Sequence, residues 1–169
     1  REIFMPSSYS FDVVSEFDHQ ELVNAIDQLR REVDQRYDLK DSKTKIDIKD
    51  DELSIVSLSD MTIQSVKDIL LQKATKRNLS LKIFDFQKIE TIGGNMVMQI
   101  VKLKKGLSQE ISKELSKLVR ENMKKVTVSI QGESLRITSK NKDDLQSVIN
   151  LIKKKEEDLD IALQFQNYR

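Results

Sequence analysis

The sequence predicts an α+β fold made of two tandem copies of a βαββαβ unit, each with a four-stranded antiparallel sheet and two helices. Segments with an apolar period of 3.6 residues alternate along the chain with segments of period two. A helix–hairpin–helix arrangement occurs twice, with the copies roughly 80 residues apart. The 169 residues are enough for two small domains of this kind.

Four helices are predicted from apolar residues that recur every three or four positions after a capping side chain. The first begins with the capping-box spacing of Asp18 and Glu21 and runs to about Arg36. The second is expected to end at Asn78. The residues predicted to cap the four helices are Asp18, Asp60, Ser108 and Asn141.

The strands are predicted from alternation of apolar and polar residues. Asp50-Asp51-Glu52 is a solvated turn between two strands of the first copy, although its carboxylates could also hold a hard cation. Gly132-Glu133 has the form of a two-residue hairpin turn in the second copy. Four further strands lie outside the hairpins, at residues 10–16, 81–86, 96–104 and 162–168.

This element order is that of a ferredoxin-like sandwich in each copy, which predicts domains at residues 10–90 and 96–169. Residues 1–9 are expected to be a flexible N-terminus, and Met5 has the sequence context of a natural start, so residues 1–4 are an expected extension. Gly93-Gly94 is interpreted as a flexible interdomain connection. Residues 96–103 are apolar on both strand faces, which predicts that the domains pack together through sheet surface.

Charge is distributed unevenly along the chain. Residues 5–60 carry 7 Lys/Arg and 14 Asp/Glu, whereas residues 96–155 carry 14 and 6. The basic segment is the part expected to attract polyanions, although a solvated cationic face is the alternative. The predicted nucleotide- or phosphate-binding residues are Lys102, Lys104, Lys105, Arg120, Arg136 and Lys140. In a competing hypothesis, a protein partner binds the acidic segment, which includes Asp27, Asp34 and Asp38.

The sequence lacks the residues that several kinds of catalytic, metal-binding and base-stacking sites require. The sequence has no cysteine, a single histidine at His19, no phosphate-binding glycine motif and no metal-ligand spacing, so neither catalysis nor a cofactor is expected. The predicted central strands 53–58 and 134–140 carry no aromatic residue, which disfavours an RNA-recognition domain that stacks bases on its sheet. No apolar run has the length of a membrane span and no secretory signal is recognisable, so we expect a cytoplasmic protein without membrane contact.

Several short runs, in this order, resemble the YajQ family of small bacterial proteins from about Met5 to the last residue. They are Ser10-Phe11-Asp12-Val13-Val14-Ser15-Glu16, Asn24-Ala25, Arg36-Tyr37-Asp38, Lys104-Lys105-Gly106, Ile130-Gln131-Gly132-Glu133, Asp143-Asp144-Leu145-Gln146 and Leu163-Gln164-Phe165-Gln166-Asn167-Tyr168-Arg169. The chain departs from the family pattern at Leu39-Lys40-Asp41, at Ser139 and at Asn141-Lys142.

The resemblance implies two ferredoxin-like domains that exchange their N-terminal strands, so that 10–16 joins the C-terminal sheet and 96–104 the N-terminal sheet. It also implies a nucleotide-binding regulatory protein without catalytic activity. The ligands that follow from it are cyclic-di-GMP, GTP, ATP or RNA. The family supplies no set of binding residues to carry over, so the six cationic residues rest on electrostatics alone.

Overall fold

The computed structural model describes residues 8–169, and residues 1–7 lie outside the described part of the chain. The chain divides into two compact units. We call residues 8–16 together with Lys105–Arg169 the C-terminal unit, and Phe17–Lys104 the N-terminal unit. Each unit packs two helices against an antiparallel sheet, so the predicted fold class of two tandem ferredoxin-like sandwiches is confirmed.

The helices and strands follow the predicted order, with one additional strand. The first half holds β1 (Tyr9–Val14), α1 (His19–Gln35), β2 (Lys45–Lys49), β3 (Glu52–Ser57), α2 (Asp60–Lys76), β4 (Phe84–Phe86) and β5 (Glu90–Ile92). The second half holds β6 (Met96–Leu103), α3 (Gln109–Asn122), β7 (Thr127–Gln131), β8 (Ser134–Ser139), α4 (Lys142–Glu156) and β9 (Gln164–Gln166).

Both sheets have the strand order of a ferredoxin-like fold. The sheet of the C-terminal unit runs β7-β8-β1-β9, and that of the N-terminal unit runs β2-β3-β6-β4, with β5 also paired to β6. The strands β1 and β6 therefore occupy corresponding central positions, each between two antiparallel neighbours. The domain ranges 10–90 and 96–169, with strands exchanged between them, stay a prediction.

Three of the four predicted N-caps are confirmed, because Asp18, Ser108 and Asn141 each accept a hydrogen bond from a backbone N–H in the first turn. The prediction of Asp60 was wrong by one residue. The cap is Ser59, whose hydroxyl accepts from the backbone N–H of Thr62, while the Thr62 hydroxyl accepts from the Ser59 N–H, both at 3.1 Å. This reciprocal pair gives hydrogen-bond partners to two backbone N–H groups at the start of the helix. Asp60 lies inside the helix, one residue after the cap.

The interpretation of Gly93-Gly94 as an interdomain connection was wrong. The pair lies within the N-terminal unit, in the turn of a hairpin that joins β5 to β6 in the register Ile92 to Met96. Gly94 and Asn95 have positive φ angles of 73° and 60°, a conformation that glycine and asparagine adopt at low cost. The glycines therefore serve a tight turn between two paired strands.

Several predicted segments have different bounds in the structure, among them the strand predicted at 162–168, of which only Gln164–Gln166 forms β9. Residues 81–83 form a short 3₁₀ turn capped by the Ser80 hydroxyl, so only Phe84–Phe86 of the predicted strand 81–86 is extended and paired. The predicted flexible N-terminus 1–9 includes Tyr9, which begins β1 opposite Ser139. Residues 1–7 of that prediction, and the expected extension at 1–4, lie outside the described residues.

Each unit has its own apolar core between helices and sheet. On β6, Gln99, Val101 and Leu103 are buried on the helix side, whereas Met98 and Ile100 on the other side are half-buried. The predicted packing of the domains through that second sheet surface stays a prediction. Within residues 8–169, every helix is too short or too polar to cross a lipid bilayer.

Candidate functional site

The six predicted phosphate-binding residues belong to different units. Lys102 and Lys104 lie in the N-terminal unit, and Lys105, Arg120, Arg136 and Lys140 lie in the C-terminal unit. The exposed Lys102 of β6 stands in register between the acidic residues Glu52 of β3 and Asp85 of β4. Lys140 is exposed and directly precedes Asn141, the cap of α4. The sequence segment of high positive charge is therefore divided between the two units.

Folding also evens out the charge. The N-terminal unit contains 15 Lys/Arg and 15 Asp/Glu, and the described C-terminal unit contains 13 and 12. The unit boundary leaves Lys102 and Lys104 with the acidic half of the chain and joins Asp12 and Glu16 to the basic half. A difference in net charge therefore does not select either unit as the polyanion-binding one.

Arg120 has a role in the fold that a second arginine repeats. It lies twelve residues after the cap of α3, and its Nη2 donates to the carbonyl oxygen of Val128 on the edge strand β7 at 3.4 Å. Arg30 lies twelve residues after the cap of α1, and its Nε donates to the carbonyl of Ile46 on the edge strand β2 at 3.0 Å. Each arginine occupies an edge carbonyl that could otherwise pair with another strand.

Arg136 is held by an acidic partner on the face of the sheet that is turned away from the helices. Its Nε and Nη2 donate to the two carboxylate oxygens of Asp12, at 3.0 and 3.4 Å. The Asn167 side-chain amide donates to the same carboxylate at 2.8 Å. The Arg136 guanidinium lowers the pKa of the Asp12 carboxyl from its usual value, against the opposing effect of burial and with further help from Asn167. Asp12 is therefore a carboxylate at neutral pH.

The C-terminal unit also contains a cleft that the sequence analysis did not predict. It lies between α4, β1 and the residues after β9, and has a volume of about 360 Å³. Its floor is the buried Phe11, Leu145 and Ile149, and its aromatic walls are the half-buried Tyr9 and the 64% exposed Tyr168. The rings of Phe11 and Tyr168 are 5.9 Å apart between centroids. We call this the tyrosine cleft.

Two cations line the same cleft. Lys142, the first residue of α4, places its Nζ 5.5 Å from the centroid of the Tyr9 ring. Arg169 lines the cleft from the segment after β9 and exchanges both backbone hydrogen bonds with Ser10, at 3.2 and 3.0 Å. Apolar cavities with a few convergent polar or charged groups are the usual form of a small-molecule site. This combination of flat apolar surface and cations suits a ligand that has both an aromatic ring and negative charge.

The aromatic residues of the cleft lie outside the predicted central strands 53–58 and 134–140, where an RNA-recognition domain would carry its stacking residues. Tyr9 precedes Phe11 by two positions, and that strand spacing was a usable signal. Tyr168 gave no such signal, since its direction depends on the local backbone after β9.

His19 is exposed at the start of α1, and residues 8–169 contain no group of three His, Cys, Asp or Glu side chains placed to hold a metal ion.

Comparison with known proteins places the chain in a family. The family model described as nucleotide-binding protein YajQ-like matches residues 9–169. A protein of Prochlorococcus marinus strain NATL1A, named as a nucleotide-binding protein, is 93% identical over 98% of this chain and all of its own length. Proteins with the same description from Synechococcus strains CC9605 and JA-3-3Ab are 68% and 54% identical over the same shares. The chain therefore belongs to the YajQ-like family of nucleotide-binding proteins.

Proposed function

We propose that this protein binds a nucleotide in the tyrosine cleft and acts as a regulatory binding protein without catalysing a reaction. The observation that carries the proposal is the convergence of Tyr9, Tyr168, Lys142 and Arg169 on one apolar cleft. The names of the relatives support a nucleotide as the ligand class.

The division of labour follows from the chemistry of the four side chains. A base packs on the Tyr168 ring and against the apolar floor, because every base presents a π-face to an aromatic side chain. The phosphate accepts hydrogen bonds from the Lys142 ammonium and the Arg169 guanidinium, which are the cations at the rim. Binding of this kind needs no general base or metal ion.

The six cationic residues named from the sequence stay predictions. Lys140 is two positions before Lys142, so it is the one of the six that we retain as an outer phosphate contact. Lys102 and Lys104 are in the other unit, and Arg120 and Arg136 already donate to Val128 and Asp12. Lys105 is exposed in the loop before α3.

The proposal is tested by equilibrium dialysis against cyclic-di-GMP, GTP, ATP and bulk tRNA, each at low and physiological salt. We expect one small nucleotide to bind saturably at both salt concentrations. Tyr168→Ala should weaken that binding roughly 5- to 150-fold, the range measured for a lost base–aromatic stack, and Lys142→Gln should weaken it by a charge-dependent factor that salt reduces.

Lys67→Gln is the matched control, because Lys67 lies over the Phe86 ring at 4.3 Å in the N-terminal unit and should leave binding unchanged. Binding of tRNA alone, with loss at higher salt, would replace the cleft by a general polyanion surface. Absence of binding to all four ligands would overturn the proposal in favour of the protein partner that the acidic segment suggests.

A further inference from the structure

The C-terminal residues reach the cleft through a one-residue bulge beside β1. In the paired part of β9, Gln166 is opposite Asp12 and Phe165 is opposite Val13. A regular ladder would then place Tyr168 opposite Ser10, but Ser10 exchanges its backbone hydrogen bonds with Arg169. Asn167 and Tyr168 together therefore oppose the single residue Phe11, which is the definition of a bulge.

The bulge reverses the direction of two side chains. Phe165 faces the helix side of the sheet, since its ring packs edge-on against that of Phe11 at 5.8 Å. Without the extra residue, alternation would turn Asn167 to the helix side and Tyr168 away from it. In the structure Asn167 instead reaches Asp12 on the opposite face, and Tyr168 lies beside Phe11 in the cleft.

The backbone at the bulge depends on a side-chain contact. Asn167 has a φ of 55°, in the left-handed region, where asparagine is tolerated when its side chain finds a hydrogen-bond partner. That partner is Asp12, whose side chain is nine-tenths buried. Both carboxylate oxygens of Asp12 accept hydrogen bonds from the Arg136 guanidinium. These contacts lie on the far side of the sheet from the cleft.

We infer that Asp12, Arg136 and Asn167 are positioning residues of the nucleotide site: they lock the bulge that turns Tyr168 into the cleft, without touching the ligand. The inference rests on the proposed function for its ligand, but not for its effect on Tyr168. It gives Arg136 a role in binding other than the phosphate contact that the sequence suggested.

The first test needs no ligand. In nuclear magnetic resonance spectra, the ring protons of Tyr168 should be displaced from their random-coil shifts by the neighbouring Phe11 ring. In Asp12→Asn and in Asn167→Gly, which tolerates a positive φ but lacks the amide, we expect the Tyr168 signals to move towards random-coil values. Tyr9 signals should stay in place, and Ser129→Ala is the control, since Ser129 is opposite Arg136 on the same sheet face. Unchanged Tyr168 signals in both variants would overturn the inference.

The second test separates positioning from a general effect on the fold. Affinity is measured for the nucleotide that binds and for ribose 5-phosphate, which has the phosphate but no base. Both positioning variants should weaken the nucleotide by up to the factor seen in Tyr168→Ala and leave ribose 5-phosphate unchanged. Equal losses of affinity for the two ligands would mean that Asp12, Arg136 and Asn167 stabilise the fold in general and do not position Tyr168. If the wild-type protein binds no nucleotide, the proposed function fails, while the spectra still decide whether these three residues position Tyr168.

Discussion

The two units carry the same backbone feature beside their central strands and use it differently. In the N-terminal unit, Phe86 is opposite Val101 and Glu90 is opposite Met98. The segment that joins β4 to β5 therefore contains one residue more than a regular ladder beside β6 would have. This is the same slip that separates Phe165 from Arg169 in the C-terminal unit. Register therefore matches Ile89 with Tyr168, and both side chains pack on the helix side of their sheets.

The side chains at corresponding positions have opposite character. The C-terminal unit has Tyr9, Phe11 and Tyr168 where the N-terminal unit has Val97, Gln99 and Ile89. Lys142 begins α4 where Asp60 begins α2, and Arg169 stands where Glu90 stands. The duplicated backbone thus carries an aromatic, cationic cleft in one unit and aliphatic, amide or acidic residues in the other.

The means of holding the bulge also differ. In the N-terminal unit the Gln99 amide donates to the carbonyl of Gln87 at 2.8 Å, and Ile100 stands where the C-terminal unit has Asp12. The fold thus supplies the same side-chain direction in both units, whereas the residues of the candidate binding site are present in one.

The largest expected effect concerns the first helix of each unit. Leu22 and Ser112 both lie four residues after a cap and are both buried, but the Ser112 hydroxyl has no hydrogen-bond partner within residues 8–169. Leu22→Ala should lower the free energy of unfolding by about 2–5 kcal/mol through lost burial and a cavity. Ser112→Ala should raise it by about 1 kcal/mol, because an unpaired buried hydroxyl is removed.

Urea denaturation followed by circular dichroism measures both changes. A loss of stability in Ser112→Ala that approached the loss in Leu22→Ala would contradict the comparison. It would mean that the serine hydroxyl contributes favourably to the core of the C-terminal unit.

An intermediate effect is expected from two of the ion pairs that lower a carboxyl pKa. Arg136 lowers the pKa of Asp12, and Lys73, whose Nζ is 2.8 Å from a carboxylate oxygen, lowers that of Glu32. A lowered folded-state pKa stabilises the protein above the unfolded-state pKa, and this stability is lost as the pH falls through the folded value. Asp12→Asn should therefore lower the free energy of unfolding by about 1–3 kcal/mol at pH 7.

The difference between wild type and Asp12→Asn should shrink as the pH falls below about 4, near the unfolded aspartate pKa. Glu32→Gln should follow the same direction with a smaller loss, since both members of its pair are more exposed to water than Asp12 is. Denaturation midpoints measured across pH 2–7 distinguish the two pairs. A loss in Asp12→Asn that does not change with pH would contradict the ionised pair.

The smallest effect is expected at the two edge arginines. Arg120→Gln should lower the free energy of unfolding by about 0.5–1 kcal/mol, since it removes one hydrogen bond to the edge carbonyl of Val128. Arg30→Gln should lower it at least as much, since Arg30 donates to the Ile46 carbonyl through both Nε and Nη2 and also pairs with Asp27. Nucleotide affinity should be unchanged in both variants when measured by equilibrium dialysis. Weaker binding in Arg120→Gln alone would restore the phosphate contact that the sequence suggested for it.

Prediction from the sequence succeeded where the signal is local. The caps Asp18, Ser108 and Asn141 and the alternation in β7 and β8 depend on residues a few positions apart, and the structure has them as predicted. It failed at Gly93-Gly94, because two glycines indicate a turn but not whether the turn joins paired strands or separate domains.

The six cationic residues stay a prediction, and their division between the two units illustrates that charge along a chain is not charge on a surface. Lys102 and Lys105 are three positions apart in the sequence and belong to different units, while Asp12 and Arg136 are 124 positions apart and form an ion pair. Electrostatic and stacking contacts depend on distance in space, which strand pairing sets and sequence separation does not.

The duplicated order of helices and strands follows from the sequence alone, since amphipathic periods and caps are properties of neighbouring residues. That Tyr9 and Tyr168, from the two ends of the described chain, face one cleft with Lys142 depends on strand pairing. At the bulge of Asn167 one extra residue in the ladder reverses the direction of the side chain that follows, and that slip is visible only when both strands are paired.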